Sequence, residues 1–274
     1  MEKTMLDKIK ETASFLRAQA PEMPKIAVIL GTGLGDLVNH IEIEKEIPYG
    51  DIPNFPVSTV QGHSGKLIIG RLGGKLILAM QGRFHYYEGY DMKQVTFPVR
   101  VFKEIGVETL FVSNAAGGMN KEFVVGDVMI ITDHINLFPE NPLRGKNYEE
   151  LGPRFPAMTE AYSHALINMA DDIAHEDNIR LMHGVYVGTP GPTFETPAEY
   201  EYFRVIGGDA VGMSTVPEVI VANHAGMRVF GVSVITDLGG KDIDVAPSHE
   251  EVQQAAVKAQ PVMTHVIKKM LERI

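Results

Sequence analysis

Short apolar runs separated by amphipathic stretches organise this chain. Apolar runs rich in β-branched residues stand at 25–30 (KIAVIL), 66–70 (KLIIG), 75–80 (KLILAM), 109–114 (TLFVSN), 127–133 (DVMIITD), 182–188 (MHGVYVG) and 228–237 (RVFGVSVITD). Each has strand length, and the pair 66–70 and 75–80 reads as a hairpin turning at Gly73-Gly74. Apolar residues recur at helical spacing over 92–104, 161–175 and from Ser248 almost to the end, and the charged amino terminus MEKTMLDKIKETASF is also helical. Strands that alternate with helices and are themselves nearly all apolar predict an α/β fold. The expected architecture is a central mixed β-sheet flanked by helices on both faces, in one domain spanning 1–274. Ligands of such sheets bind beyond the carboxyl ends of the strands.

Composition narrows the partners. A net charge of -10 repels nucleic-acid backbones and anionic membranes, which leaves small molecules and other protein chains. The absence of cysteine rules out disulfides and thiolate-held metals. With no signal peptide and no long apolar segment, the expectation is an intracellular, cytoplasmic protein.

The chemistry is sought where polar clusters follow strands. Gly31-Thr32-Gly33-Leu34-Gly35 leaves the first strand. Asp36 stands where a dinucleotide fingerprint wants glycine, and the Walker ending is absent. The segment is either a plain turn or an anion cradle with the Thr32 hydroxyl. In Gln81–Tyr90 (QGRFHYYEGY), continued strand alternation would put Arg83, His85 and Tyr87 on one side. Arg83 offers a donor fork to an anion. His63, in a glycine-rich loop, is a weaker candidate. Asn114-Ala115-Ala116-Gly117-Gly118 offers either a backbone cradle or close packing.

Three segments carry the pattern of a capping box: Thr196 with Glu199, Thr215 with Glu218, and Ser248 with Glu251. Helix starts expose N–H groups and favour anions. Ser214 then suits an anion, Glu195 is expected to stay ionised as an acceptor, and His249 leans neutral. Capping accounts for Thr196, Thr215 and Ser248, but not for Glu195, Met213 or His249. Asp237, at the carboxyl end of the strongest strand, is a candidate acid, base or ligand group.

Taken in order, LGTGLG, GHSGKL, QGRFHYYEGY, SNAAGG, DHINL with NPLRG, RFPAMTEAY, GPTFETPAE and VGMSTVPEVIVANH resemble the trimeric class of purine nucleoside phosphorylases. The resemblance implies reversible phosphorolysis of purine nucleosides by a homotrimer, with inorganic phosphate as co-substrate and no metal or organic cofactor. It implies phosphate contacts at Thr32, His63, Arg83, His85, Ala115 and Ser214. It places Tyr87 and Met213 on the ribose, His249 on the 5′-hydroxyl, and Phe194 and Glu195 on the purine. Phe155 matches an aromatic lent to the neighbouring subunit's site. His85, Glu195 and Asp237 are the candidate catalytic groups.

One position departs from the pattern. Enzymes of this class that prefer 6-oxopurines carry asparagine where this chain has Asp237. An ionised carboxylate faces O6 unfavourably and suits a 6-amino group, as in the related methylthioadenosine phosphorylases. Glu195 and His249 oppose that alternative. The expectation is cleavage of inosine and guanosine with Asp237 protonated, or a specificity broadened to adenosine. A non-catalytic nucleoside binder and a nicotinamide-dependent dehydrogenase are the readings from other classes.

Overall fold

The computed structural model describes residues 3–32, 34–57, 65–240 and 248–274, apart from the side chain of His249. The helix Met5–Arg17 (α1) is fixed by a capping box between Thr4 and Asp7. The strands are Ile26–Leu30 (β1), Glu42–Pro48 (β2), Lys66–Leu72 (β3), Lys75–Gln81 (β4), Thr109–Gly118 (β5), Val128–Asn136 (β6), Met182–Gly188 (β7), Ala210–Gly212 (β8) and Arg228–Leu238 (β9). The remaining helices are Met92–Val95 (α2), Phe97–Ile105 (α3), His164–Glu176 (α4), Pro197–Val205 (α5), Val216–His224 (α6) and His249–Arg273 (α7). The helical stretch 92–104 is broken at Thr96, because Pro98 has no N–H to continue the ladder.

The strands form one nine-stranded mixed sheet in the order β2-β3-β4-β1-β5-β8-β7-β6-β9. An additional pairing of β9 with β5 closes the last five strands into a barrel. β9 pairs parallel to β5 along its length and antiparallel to β6, so both its edges are satisfied. That explains the unbroken burial of Val229–Thr236. The hairpin β3–β4 pairs antiparallel with Leu72 opposite Lys75, as the Gly73-Gly74 signal predicts. Helix α7 packs on β9 and α4, while α1 and α6 both pack on α3. Among the described residues, no helix is long and apolar enough to cross a membrane.

Two strands escape the sequence pattern. β2 is exposed along most of its charged length, and β8 has only 3 residues. Both matter for placement: β8 joins β5 to β7 and delivers the chain to Met213 and Ser214. β1, β4, β5 and β9 run parallel, so their carboxyl ends open on the same side of the sheet.

Candidate active site

A cavity of about 540 Å³ opens at those carboxyl ends. Thr32 enters from the exit of β1, Arg83 and His85 from the segment after β4, and Asn114 to Gly117 from β5. Phe194 and Glu195 come from the approach to α5, Met213 and Ser214 from beyond β8, and Thr236 and Asp237 from β9. Tyr87, Tyr200 and Val252 also line the wall. Gly31 lets the exit of β1 pass over β5, because a β-carbon there would lie 2.7 Å from the Ser113 carbonyl oxygen. The β5–β9 register shifts between Ala116 and Gly117, a bulge that lies within the cavity wall.

Arg83, His85 and Tyr87 do share the cavity, but not by strand alternation. β4 ends at Gln81, and His85 caps a single 3-10 turn, Tyr86–Glu88. Glu88 accepts from the His85 amide at 2.8 Å and meets Nδ1 at 3.0 Å. A carboxylate only accepts, so Nδ1 carries the hydrogen of the neutral ring and Nε2 is its acceptor face. Burial holds the His85 pKa below the usual histidine value, which favours that neutral form. The ring stacks on Tyr87 with centroids 4.6 Å apart.

Arg83 is 1% exposed, and its charge is already met. Nε and Nη2 face the Glu218 carboxylate at 3.2 and 3.1 Å. Nη1 donates to the Ser113 carbonyl at 2.8 Å and to Ser214 Oγ at 3.0 Å. The fork predicted for an anion therefore points at Glu218, and Ser214 is held beside Nη1.

That pairing overturns the second capping box. Thr215 has φ 70 and ψ -55 and makes no side-chain cap bond. The Val216 amide closes a three-residue turn onto the Ser214 carbonyl at 2.7 Å. Positive φ at a β-branched residue costs about 1–3 kcal/mol. Thr215 Oγ1 instead accepts from Asn114 Nδ2 at 2.9 Å, tying this turn to β5. Glu218, freed from capping, sits in a helix whose other residues up to Ala222 are buried and apolar. A glutamate inside such a run needs a buried partner, which is the signal that would have found it. The other two boxes form as the sequence predicts, with Glu199 and Glu251 returning to Thr196 and Ser248.

The base-side carboxyls lie in a drier setting. Burial raises the Glu195 pKa and the neighbouring Asp237 charge adds to it, against the ionised state expected from the helix start. Burial likewise raises the Asp237 pKa, opposed by hydrogen bonds from Thr236 and Tyr200. Thr236 Oγ1 donates to Asp237 Oδ1 at 2.9 Å and the Tyr200 hydroxyl to Oδ2 at 3.3 Å. The sequence assigns no role to Tyr200 and none of its own to Glu88; it offers Asn114 only as part of a backbone cradle, and Thr215 and Glu218 only as a helix cap.

Of the remaining candidates, Phe155 is 87% exposed and lies outside the cavity wall. His63 and the His249 side chain lie outside the described residues.

A phosphorylase superfamily model matches residues 25–272. Purine nucleoside phosphorylase 1 of Bacillus subtilis is 53% identical over 264 residues, covering 96% of this chain and 97% of that protein. Two solved structures of the Schistosoma mansoni purine nucleoside phosphorylase superpose over nearly the whole chain. The complex with adenosine has TM-score 0.93 at 42% identity, covering 99% of both chains. The complex with inosine has TM-score 0.92 at 40% identity, covering 99% of this chain and 98% of that one. Matched across almost all of its length, this chain belongs to the phosphorylase superfamily, among the purine nucleoside phosphorylases.

Proposed function

We propose that this phosphorylase acts on inosine and guanosine, and that its pocket also admits adenosine. The observation that carries the reading is one cavity holding both an anion cluster (Thr32, His85, Ala115, Ser214 and the paired Arg83) and two half-buried carboxyls, Glu195 and Asp237. The adenosine and inosine complexes of the schistosome relative support the breadth.

In the reaction a phosphate oxygen forms the bond to C1′ as the C1′–N9 bond breaks, and the purine leaves with the electron pair. Positive charge builds on the ribosyl ring and negative charge on the base. Phosphate serves as nucleophile and counter-charge, held by Thr32, Ser214, the Ala115 backbone and Arg83. The His85 Nε2 suits the P–OH of a phosphate monohydrogen anion. Ribose lies against Tyr87 and Met213, with His249 at the 5′-hydroxyl. Glu195 accepts from N1–H of a 6-oxopurine. A protonated Asp237 donates to N7 or O6 as the base departs, and its burial makes that proton easier to keep. No resident cofactor takes part; phosphate is the co-substrate. The assembly is a homotrimer in which Phe155 covers the neighbour's sugar.

The test is kcat/KM for inosine, guanosine, adenosine and methylthioadenosine, with and without phosphate, in wild type and Asp237→Asn. Phosphate-dependent release of hypoxanthine and guanine is expected, with adenosine cleavage lowered but still measurable in the variant. Turnover of methylthioadenosine without turnover of inosine or guanosine would sink the reading.

A further inference from the structure

Asp237 is not a bare carboxyl in the pocket. The Tyr200 side chain reaches it from α5, through a slot that two glycines keep open. A β-carbon on Gly117 would lie 2.7 Å from the Tyr200 hydroxyl oxygen and 3.0 Å from Asp237 Oδ2. A β-carbon on Gly239 would fall on the edge of the Tyr200 ring. Any side chain at either position displaces the tyrosine or the carboxylate. The strand end, the chain beyond β9 and α5 are thus all shaped around one hydroxyl–carboxylate contact, made at 3.3 Å.

The contact has a definite direction. Burial, then the charges of Asp237 and Glu195, hold the Tyr200 pKa far above its ordinary value, so the phenol stays protonated and donates. Thr236 Oγ1 donates to the other oxygen of Asp237. Two donors favour the ionised carboxylate, while burial favours the neutral acid. Each carboxylate oxygen keeps lone-pair capacity for a ligand N–H. An ionised Asp237 is an acceptor for a 6-amino group; a neutral one donates to N7 or O6.

We propose that Tyr200 is a specificity-determining residue, whose hydroxyl holds Asp237 as an acceptor and thereby admits 6-aminopurines to a pocket that Glu195 fits for 6-oxopurines. The proposal rests on the functional reading above, in which Asp237 faces the purine 6-position. Tyr200 acts through Asp237 rather than on the reacting atoms. Among the described residues, the titratable groups acting at Asp237 are Tyr200 and Glu195, with Thr236 its other donor.

The experiment is a double-mutant cycle on the ratio of kcat/KM for adenosine to that for inosine. Taking the ratio cancels the titration of phosphate, which both reactions share. Tyr200→Phe is expected to lower the ratio about tenfold, the worth of one hydrogen bond to a charged group. The pH at which adenosine gains on inosine should also move upward. In the Asp237→Asn background, which has nothing to titrate, Tyr200→Phe should leave the ratio within about twofold. An equal fall in both backgrounds would mean that the ring acts by packing, and no fall in either would mean it has no part in selection; each overturns the proposal. Calorimetric binding of adenine and hypoxanthine gives the same ratio without turnover. A wild type that cleaves no nucleoside yet shows the Tyr200-dependent binding ratio would defeat the phosphorolysis reading and leave this one standing.

Discussion

Glu218 carries a larger share of the site than its place in the sequence suggests. It is 3% exposed, and Arg83, its partner, is 1% exposed. Buried pairs gain little net energy as pairs, but losing one partner strands a charge at a cost of about 3–5 kcal/mol. Glu218→Ala should therefore lower the unfolding free energy by about 3 kcal/mol or more, measured in denaturant. Phosphate should then restore more stability to the variant than to wild type, because the released guanidinium regains an anion. A loss below about 1 kcal/mol would mean that Ser113, Ser214 and Thr215 satisfy Arg83 unaided. His85 shows the same economy: Glu88 sets its tautomer from three residues away, inside one turn.

Between residue and molecule, the elements explain what the sequence shows and what it conceals. β1, β5 and β9 are legible because strands buried along almost their whole length are nearly all apolar. Two of the three capping patterns are legible because a cap is a contact across three residues. Glu218 and Tyr200 are not legible in the same way, because Arg83 lies 135 positions from Glu218 and Asp237 lies 37 from Tyr200. Side-chain pairing over such distances leaves no periodicity. The barrel is hidden for a similar reason: β5 and β9 pair across the intervening chain, and no local pattern records it.

The same scale yields a pH prediction. At the end of α6, Arg100 Nη1 donates to His224 Nδ1 at 2.6 Å, a bond that requires a neutral ring. His224 Nε2 meets Asn147 Oδ1 at 3.4 Å, and its hydrogen bond to the Pro153 backbone reaches the segment leading to Phe155. Burial and then the Arg100 charge push the His224 pKa down to about 4. A histidine lowered on folding stabilises fully above its unfolded value of about 6.5 and loses that contribution as pH falls toward the folded value. Protection against hydrogen exchange across 142–155, relative to the intrinsic rate at each pH, should therefore fall between about pH 6.5 and 4, more than across α4. His224→Gln should flatten that pH dependence; an unchanged profile in the variant would assign the loosening to other groups.

At the scale of the molecule, Phe155 is the outstanding exposed apolar side chain. It is 87% exposed, and the Arg154 guanidinium lies over its ring at 5.8 Å. A phenylalanine so exposed contributes almost nothing to the fold of its own chain, so Phe155→Ala should change stability by less than about 0.5 kcal/mol. In the proposed cyclic trimer each chain would lend this ring to one neighbour and borrow it from the other, a head-to-tail arrangement. The variant then has an intact cavity but lends no cover. Ser214→Ala is the complement, with a weakened phosphate cluster, the Arg83–Glu218 pair kept, and an intact Phe155 to lend. Each alone should be weakly active, Phe155→Ala chiefly through a raised nucleoside KM. When the two are unfolded together and refolded as a mixture, a Phe155→Ala cavity beside a Ser214→Ala chain borrows that chain's ring, and activity should rise well above the sum of the separate preparations. The mixed particle should run at about three times the 30.2 kDa chain mass. Strictly additive activity in a mixture of that mass would mean that Phe155 serves no neighbouring site, and the cover over the sugar would have to come from the chain's own residues.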